Sequence, residues 1–330
     1  MKIYLQREHL GLNNNRTVKI FLTGGRSLLA NNIANFLCNL GHDVHLFGRS
    51  VPQKIDGIKF SELNWNNLDS IFNPHREIDL LIHCAGINAH QCELDPNEAL
   101  RFNSYLTGKL SELCALNKVK NFIFFSSVHA YGNNLNGLIT EEFIPNSFHP
   151  YGFSKYVAEK LVQANLDKSN TKFLILRLSN IIATPIDMKT SCWHLLPNSL
   201  CKELKKSKSL VLKSNPNIKR DFVAISELNK FIKYFLLNQE VFESGIYNFA
   251  SGQMMKIYDL AKLIRKINFA NFGEEVEIII DQNKLSNIDE NYNFSIKKIK
   301  DSGFNLSQNI DKELLSMLNF SSSIHSKLKN

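Results

Sequence analysis

The sequence predicts an α/β fold, a doubly wound parallel sheet flanked by helices, with a smaller mixed α/β lobe in its second half. Three observations predict it. Apolar strand-like runs alternate with helix-period segments through the first half of the chain. The first of these runs ends in a turn of small residues that opens directly into a helix. Beyond Asn180 the alternation gives way to a mixed pattern of helices and short strands.

Taken in order, Val18-Lys19-Ile20-Phe21-Leu22 is the first strand, and Thr23-Gly24-Gly25-Arg26-Ser27-Leu28-Leu29-Ala30 carries the chain into a helix running toward Leu40. Strand, tight turn and helix are the context of a Rossmann-type, dinucleotide-binding unit. A helix start offers unpaired N–H groups and the positive end of a dipole, both suited to pyrophosphate, provided small residues let it approach. Gly24, Ser27 and Ala30 occupy the small-residue positions, and Ser27 adds a side chain where the phosphate would come closest. Residues 43–47 form a second strand, residues 80–84 another, and residues 172–178 a sixth. The later pattern gives helices near 193–206, 225–237 and 257–267 and a short strand at 210–212, while Ser321-Ser322-Ser323 suggests a frayed tail. The chain therefore divides into an extension (1–17), a dinucleotide-binding domain (18–180) and a mainly substrate-binding lobe (181–330), some segments of which return to the first domain.

Composition narrows the function classes. At 330 residues and 44% hydrophobic content the chain can bury one large core. No apolar run is long enough for a membrane span, and the polar, asparagine-rich start is unlike a signal peptide, so the expectation is a cytoplasmic protein with no membrane partner. Six scattered cysteines without a Cys-x-x-Cys pair predict neither a metal site nor a disulfide framework. The net charge of +8 includes a cluster at Lys202, Lys205, Lys206 and Lys208, which reads as a solvated helix face because no aromatic platform accompanies it. No nucleic-acid partner is expected.

The chemistry-bearing segment is His149-Pro150-Tyr151-Gly152-Phe153-Ser154-Lys155. Four-residue spacing puts the Tyr151 phenol and the Lys155 ammonium on one helix face. A cation beside a tyrosine favours its phenolate, which can then exchange a proton with a sugar or alcohol hydroxyl near neutral pH. Alone, this spacing is an ordinary surface pair; its weight comes from the motifs around it.

Together these motifs resemble the extended short-chain dehydrogenase/reductase superfamily, the group of NAD-dependent epimerases, dehydratases and reductases that modify nucleotide sugars. The resemblance runs in the family's order from about Val18 to about Phe320. It departs from the usual Thr-Gly-x-x-Gly-x-x-Gly turn at Ser27 and Ala30. It identifies Thr23, Gly24, Gly25, Arg26, Ser27, Leu28 and Leu29 with the cofactor turn. Ile78 to Gly86 is similar to the fourth strand and the turn beneath the cofactor, Cys84, Ala85 and Gly86; Asn103, with Thr107 one turn on, matches the following helix. Asn121 to Gly132 resembles the fifth strand, whose pattern places the catalytic hydroxyl at Ser127. The implied catalytic set is Ser127 to hold the substrate oxygen, Tyr151 to move the proton, and Lys155 to bind the nicotinamide ribose and lower the tyrosine pKa. Tyr151 and Lys155 thus serve the cofactor as well.

Where family members using NAD place an acidic residue after the second strand, this chain has Arg49 and Ser50, which suit the 2′-phosphate of NADP. The cofactor expected is NADP or NAD, with NADP favoured. Asn180 and Arg220 resemble residues that bind the nucleotide diphosphate of a sugar nucleotide, and His129 stands beside the pocket as a further substrate contact. The 4,6-dehydratases carry Asp-Glu where this chain has Val128-His129, so dehydration is disfavoured. The reading is an NAD(P)-dependent nucleotide-sugar epimerase or 4-ketoreductase in surface polysaccharide precursor synthesis. The alternatives are a catalytically silent dinucleotide-binding regulator and a reductase of a non-sugar ketone. Family members often pair through the helices around residues 106–116 and 157–166, which makes a homodimer the default.

Overall fold

The fold was obtained as a computed structural model that describes residues 16–49, 55–73, 77–188, 190–286, 291–307 and 309–327. Among these residues seven strands form one wholly parallel sheet: β1 (Lys19–Thr23), β2 (Asp43–Gly48), β3 (Lys59–Glu62), β4 (Leu80–His83), β5 (Asn121–Ser127), β7 (Lys172–Leu178) and β11 (Gly245–Phe249). Their spatial order is β11-β7-β5-β4-β1-β2-β3, so the direction of winding reverses between β1 and β4. That reversal opens a crevice at the carboxyl ends of the two strands, where open α/β sheets bind ligands.

Strand alternation sorts the core into two layers. Ile20, Leu22, Ile82, Ile123, Leu174 and Leu176 pack on one face with α1 (Leu28–Asn39) and α7 (Ile225–Leu237). Their neighbours Phe21, Leu81, Phe122, Phe124, Phe173 and Ile175 point the other way, toward α4 (Leu106–Leu116) and α5 (Pro150–Leu166). Period-two alternation with both faces apolar is what a sheet covered on both sides requires. Between β4 and α4 the chain forms α2 (Ala89–Leu94), α3 (Pro96–Ala99) and a π-helical stretch, Leu100–Tyr105.

The second half adds β8 (Asn180–Ile182), α6 (Leu196–Ser207), β9 (Ser209–Leu212), β10 (Lys219–Ala224), β12 (Met254–Lys256), α8 (Ile257–Phe272), β13 (Glu277–Ile280), β14 (Tyr292–Phe294), α9 (Lys297–Asp301) and α10 (Asp311–Lys327). It has its own core around Leu200, Leu204, Phe222, Leu260, Ile264, Leu314 and Leu318. Short sheets β12-β10-β8, β13-β9 and β14-β6, the last using β6 (Gly137–Ile139), frame it. Two expectations change. The helix expected at 193 starts at Leu196, with Pro197 in its first turn, where a missing N–H costs no hydrogen bond. The serine run 321–323 is not a frayed tail: it lies within α10, and Ser321 is buried because Leu314, Met317 and Leu318 dock that helix on the lobe core.

A buried polar network crosses the interface between α5 and β7. Arg177, in a strand otherwise apolar from Phe173 to Leu178, gives a forked pair of bonds to Glu159 on α5, 2.7 Å from Nη2 to Oε2 and 3.0 Å from Nε to Oε1. Its guanidinium also lies 4.4 Å from the Tyr131 ring centroid. The Tyr131 hydroxyl donates to Asn248 Oδ1 at 2.6 Å, and the Asn248 N–H donates to Glu141 at 2.8 Å. Removing one partner would strand a buried charge. Arg177→Met is expected to cost about 3–5 kcal/mol of unfolding free energy, with Glu159→Leu added in the same chain recovering much of it; denaturant unfolding of the single and double variants measures both.

Candidate active site

The crevice is lined first by backbone. Gly24 ends β1 at φ +90°, and a Cβ there would sit 3.0 Å from the Ala85 nitrogen, so the two turns after β1 and β4 touch without side chains between them. Gly25 N donates to Phe47 O at 2.9 Å, tying the first turn to β2. Ser27 takes extended φ and ψ and caps α1, its Oγ accepting from Ala30 N at 3.1 Å. The hydroxyl that replaces the usual glycine therefore engages one of the N–H groups at the helix start. Leu28 is buried, Leu29 is half-buried, Arg26 and Arg49 are exposed, and Ser50 lies outside the described residues. Thr23 is fully buried, its Oγ1 2.6 Å from His83 Nδ1.

Helix α5 is set in place by its first turn. His149 caps it, Nδ1 accepting from Tyr151 N at 3.1 Å, and Pro150 supplies the first helical residue. A Cβ on Gly152 would meet the His129 carbonyl oxygen at 2.2 Å, so only glycine lets this turn press against the segment after β5. The consequence is that Tyr151 and Ser127 come together: the Ser127 hydroxyl lies close enough to the phenol to pull its pKa down, and it accepts from His129 N at 3.2 Å. The His129 ring stands edge-on to the Tyr151 ring, centroids 6.1 Å apart. Lys155 is buried one turn further on, Nζ donating to Phe125 O at 3.0 Å and lying 5.0 Å from the Phe124 ring centroid. A Cβ on Gly86 would fall 3.3 Å from that Nζ, so the turn after β4 passes directly against the amine.

Asn103, on the π-helical stretch, is fully buried. Its Oδ1 accepts from Ile87 N at 2.9 Å and its Nδ2 donates to Ser154 Oγ at 3.1 Å, joining the turn after β4 to α5. Cys84 is half-buried and Ala85 buried in that turn. On the facing lobe Asn180 gives Nδ2 to Asp221 O at 2.9 Å, which fastens β8 to β10. Asp221 itself accepts from Ser251 N, Ser251 Oγ and Gly252 N at 2.8, 2.8 and 2.9 Å, a clamp on the 251–252 turn. Arg220 is half-buried on β10, close enough to His129 to help lower its pKa.

Electrostatics differ from the sequence expectation in one respect. Burial pushes the Tyr151 phenol up to about 12, with the Ser127 hydrogen bond pulling the other way. Burial also draws Lys155 down to about 8, opposed by Cys92, Cys84 and Glu159. The lysine therefore does not bring the tyrosine below its ordinary value in this arrangement, because its Nζ is engaged by Phe125 O and stands 5.9 Å from the phenol ring centroid. Surrounding protein, then Arg220 and His149, hold His129 down at about 4, so it is neutral at pH 7.

The site fits a dinucleotide by its own geometry: a side-chain-free cradle at Gly24, a helix start behind it, and a buried amine against Gly86. Sequence reasoning missed His83, His149, Ser154 and Glu159. The signals were an imidazole inside the apolar run before Cys84 and an acid one turn beyond Lys155 on a buried face.

Comparison with known proteins follows the same lines. The model of the NAD dependent epimerase/dehydratase family matches residues 20–250. A putative UDP-glucose 4-epimerase of Methanocaldococcus jannaschii is 24% identical over 294 residues, 86% of this chain and 92% of that protein. The structure of MoeE5 in complex with UDP-glucose and NAD superposes with a TM-score of 0.77 at 16% identity, covering 93% of this chain and 99% of that one. RMD from Pseudomonas aeruginosa complexed with NADPH gives 0.72 at 21% identity, covering 93% and 100%.

The displaced lysine pKa has a measurable consequence. Because the folded chain holds this group below its ordinary 10.5, the unfolded chain binds the proton more tightly between about pH 8 and about pH 10. Stability from the site is lowest below that window and rises through it. The difference in unfolding free energy between the parent chain and Lys155→Met should grow with pH there, by at most about 1.4 kcal/mol per pH unit, in denaturant titrations.

Proposed function

Because the chain belongs to the NAD dependent epimerase/dehydratase family, we propose that it is an NAD(P)-dependent nucleotide-sugar epimerase or 4-ketoreductase, working in the synthesis of surface polysaccharide precursors. The observation that carries this reading is the convergence of Ser127, Tyr151 and Lys155 beside the Gly24 and Gly86 turns at the carboxyl end of the sheet. Thr23 to Leu29 and the Cys84-Ala85-Gly86 turn would hold the dinucleotide, with Asn103 bracing the second turn from behind. Bound there, the nicotinamide supplies the acceptor or donor of hydride.

The chain's own residues then handle the proton. Tyr151 Oη gives a proton to the oxygen of a keto-sugar as it becomes a hydroxyl, or takes one in the reverse direction. Ser127 Oγ, beside that phenol, holds the same substrate oxygen. Lys155 keeps a positive charge at the buried end of the site at neutral pH, since its pKa stays near 8. A phenol protonated at pH 7 is a proton donor at rest, as delivery to a keto-sugar oxygen requires. Arg220 and Asn180 would meet the nucleotide diphosphate, and His129, neutral, would contact the sugar. Val128 and His129 supply no acid pair for eliminating water, which weighs against a 4,6-dehydratase.

Arg49, exposed just past the end of β2, supports NADP, as an arginine can hold a 2′-phosphate. Exposed Leu116 on α4 and Phe153 on α5, at 68 and 46% accessible, support pairing of two copies through these helices. The test begins with the dinucleotide released on denaturation. Near-stoichiometric NAD(H) would point to an epimerase and overturn the reading of Arg49; an empty protein that takes up NADPH would favour the ketoreductase. Tyr151→Phe is expected to lower turnover with keto-sugar nucleotides by at least about 100-fold while leaving dinucleotide binding intact. Full turnover in that variant would sink the mechanism. Arg220→Ala should weaken binding of UDP-glucose about tenfold or more, read by calorimetry.

A further inference from the structure

We propose that His83 is a positioning residue, which locks the dinucleotide turn to the helix bearing Tyr151 and Lys155 through an unbroken chain of buried hydrogen bonds. The role assigned to those two residues rests on the function proposed above; the chain of bonds does not. His83 closes β4, next to β1 in the sheet, with Thr23 and His83 as register partners. Thr23 Oγ1 lies 2.6 Å from His83 Nδ1, and His83 Nε2 lies 2.9 Å from Thr107 Oγ1. Thr107 Oγ1 donates to Asn103 O at 2.7 Å. Asn103 Nδ2 donates to Ser154 Oγ at 3.1 Å, and Ser154 Oγ donates to Tyr151 O at 2.9 Å. Thr23, Asn103, Thr107 and Ser154 are fully buried and His83 is 1% exposed, so no water competes for these groups.

Counting protons fixes the ring. The single hydroxyl proton of Thr107 goes to a carbonyl that can only accept, so Thr107 must accept from His83, and Nε2 carries the hydrogen. Nδ1 is then a lone pair, and Thr23 donates to it. The direction of every bond from Thr23 to Thr107 is set by one tautomer. Protonating the ring would break this order, and the surroundings oppose protonation: Trp65, Phe122 and Phe124 wall the imidazole, and burial followed by the charge of Lys155 holds its pKa down at about 3. The same chain braces Ile87 through Asn103 Oδ1, so the turn touching the lysine amine and the helix carrying it move as one body.

Histidine-selective 15N NMR of the full chain tests the ring directly. The signal absent from His83→Gln should show a hydrogen on Nε2 alone, unchanged from about pH 8 to about pH 5. A hydrogen on Nδ1, or titration near the ordinary 6.5, would overturn the proposal. Thr107→Val, of nearly the same shape, removes the acceptor; turnover of UDP-glucose or its 4-keto form should fall about tenfold with KM changed less than about twofold, and Thr107→Ser should restore it. Undiminished turnover in Thr107→Val, or failure of Thr107→Ser to restore it, rejects the positioning role. If Thr107→Val does not fold, Thr107→Ser and the NMR signal still decide. Retained turnover in Tyr151→Phe would reject the proposed function while leaving the predicted imidazole signal untouched, so the two failures are distinguishable.

Discussion

The buried pair of Glu159 and Arg177 is the constraint on which the site depends. Two charges inside a core are a poor source of stability, because their desolvation offsets most of their attraction. Their value lies in geometry. A guanidinium donates to its carboxylate partner in one planar fork, which favours a single axial position of α5 on β7. Glu159 follows Lys155 by four residues and Tyr151 by eight, and a helix advances about 1.5 Å and turns about 100° per residue. A slip of one residue would carry the phenol and the amine off the crevice. An apolar interface would tolerate such a slip far better than a forked ion pair does.

The strand facing that pair shows how one turn of pleat separates scaffold from chemistry. Ser126 bonds Glu159 and so belongs to the network, while Ser127, pointing to the other side, meets Tyr151. Lys155 is divided in the same way. It is carried by the pinned helix, yet its Nζ rests on the carbonyl of Phe125 and against Gly86. The network thus reaches the crevice from below, through β5, and from the side, through α5. Glycines at 24, 86 and 152 remove the side chains that would hold these surfaces apart.

Much of this was legible in the sequence, for physical reasons that can be named. Residues 172–178 and 225–237 coincide with a strand and a helix because a short, almost continuous apolar run and a helix-period apolar face fix them. That Tyr151 and Lys155 share a helix face was legible because four-residue spacing fixes it, whereas Ser127 could be named only through the resemblance of its strand to the family's pattern. The pKa of Tyr151 was not, since it depends on how much protein surrounds the phenol and on which atom the lysine amine chooses, and neither is a property of spacing. The serine run at 321–323 misled because local polarity was read without the docking of Leu314 and Leu318 that overrides it. Arg177 was visible as a charge within an apolar strand; its partner could be named only once α5 was laid on the sheet.

Ser27 bears on how the dinucleotide turn can work. A helix start exposes N–H groups that have no partner within the helix, and an anion approaching a glycine there meets them at close range. With serine in place, Oγ takes the N–H of Ala30, and the Ser27 side chain occupies part of the approach. The dipole of α1 remains, because it belongs to the whole helix, and Arg26 brings a full positive charge to the same exposed turn. Attraction at this turn therefore shifts from short backbone contacts toward charge. Charge acts at longer range and is screened by salt, whereas a backbone contact is not. A dinucleotide held in this way would be recruited readily and released readily, which suits a cofactor exchanged at every turnover better than one kept in place through many.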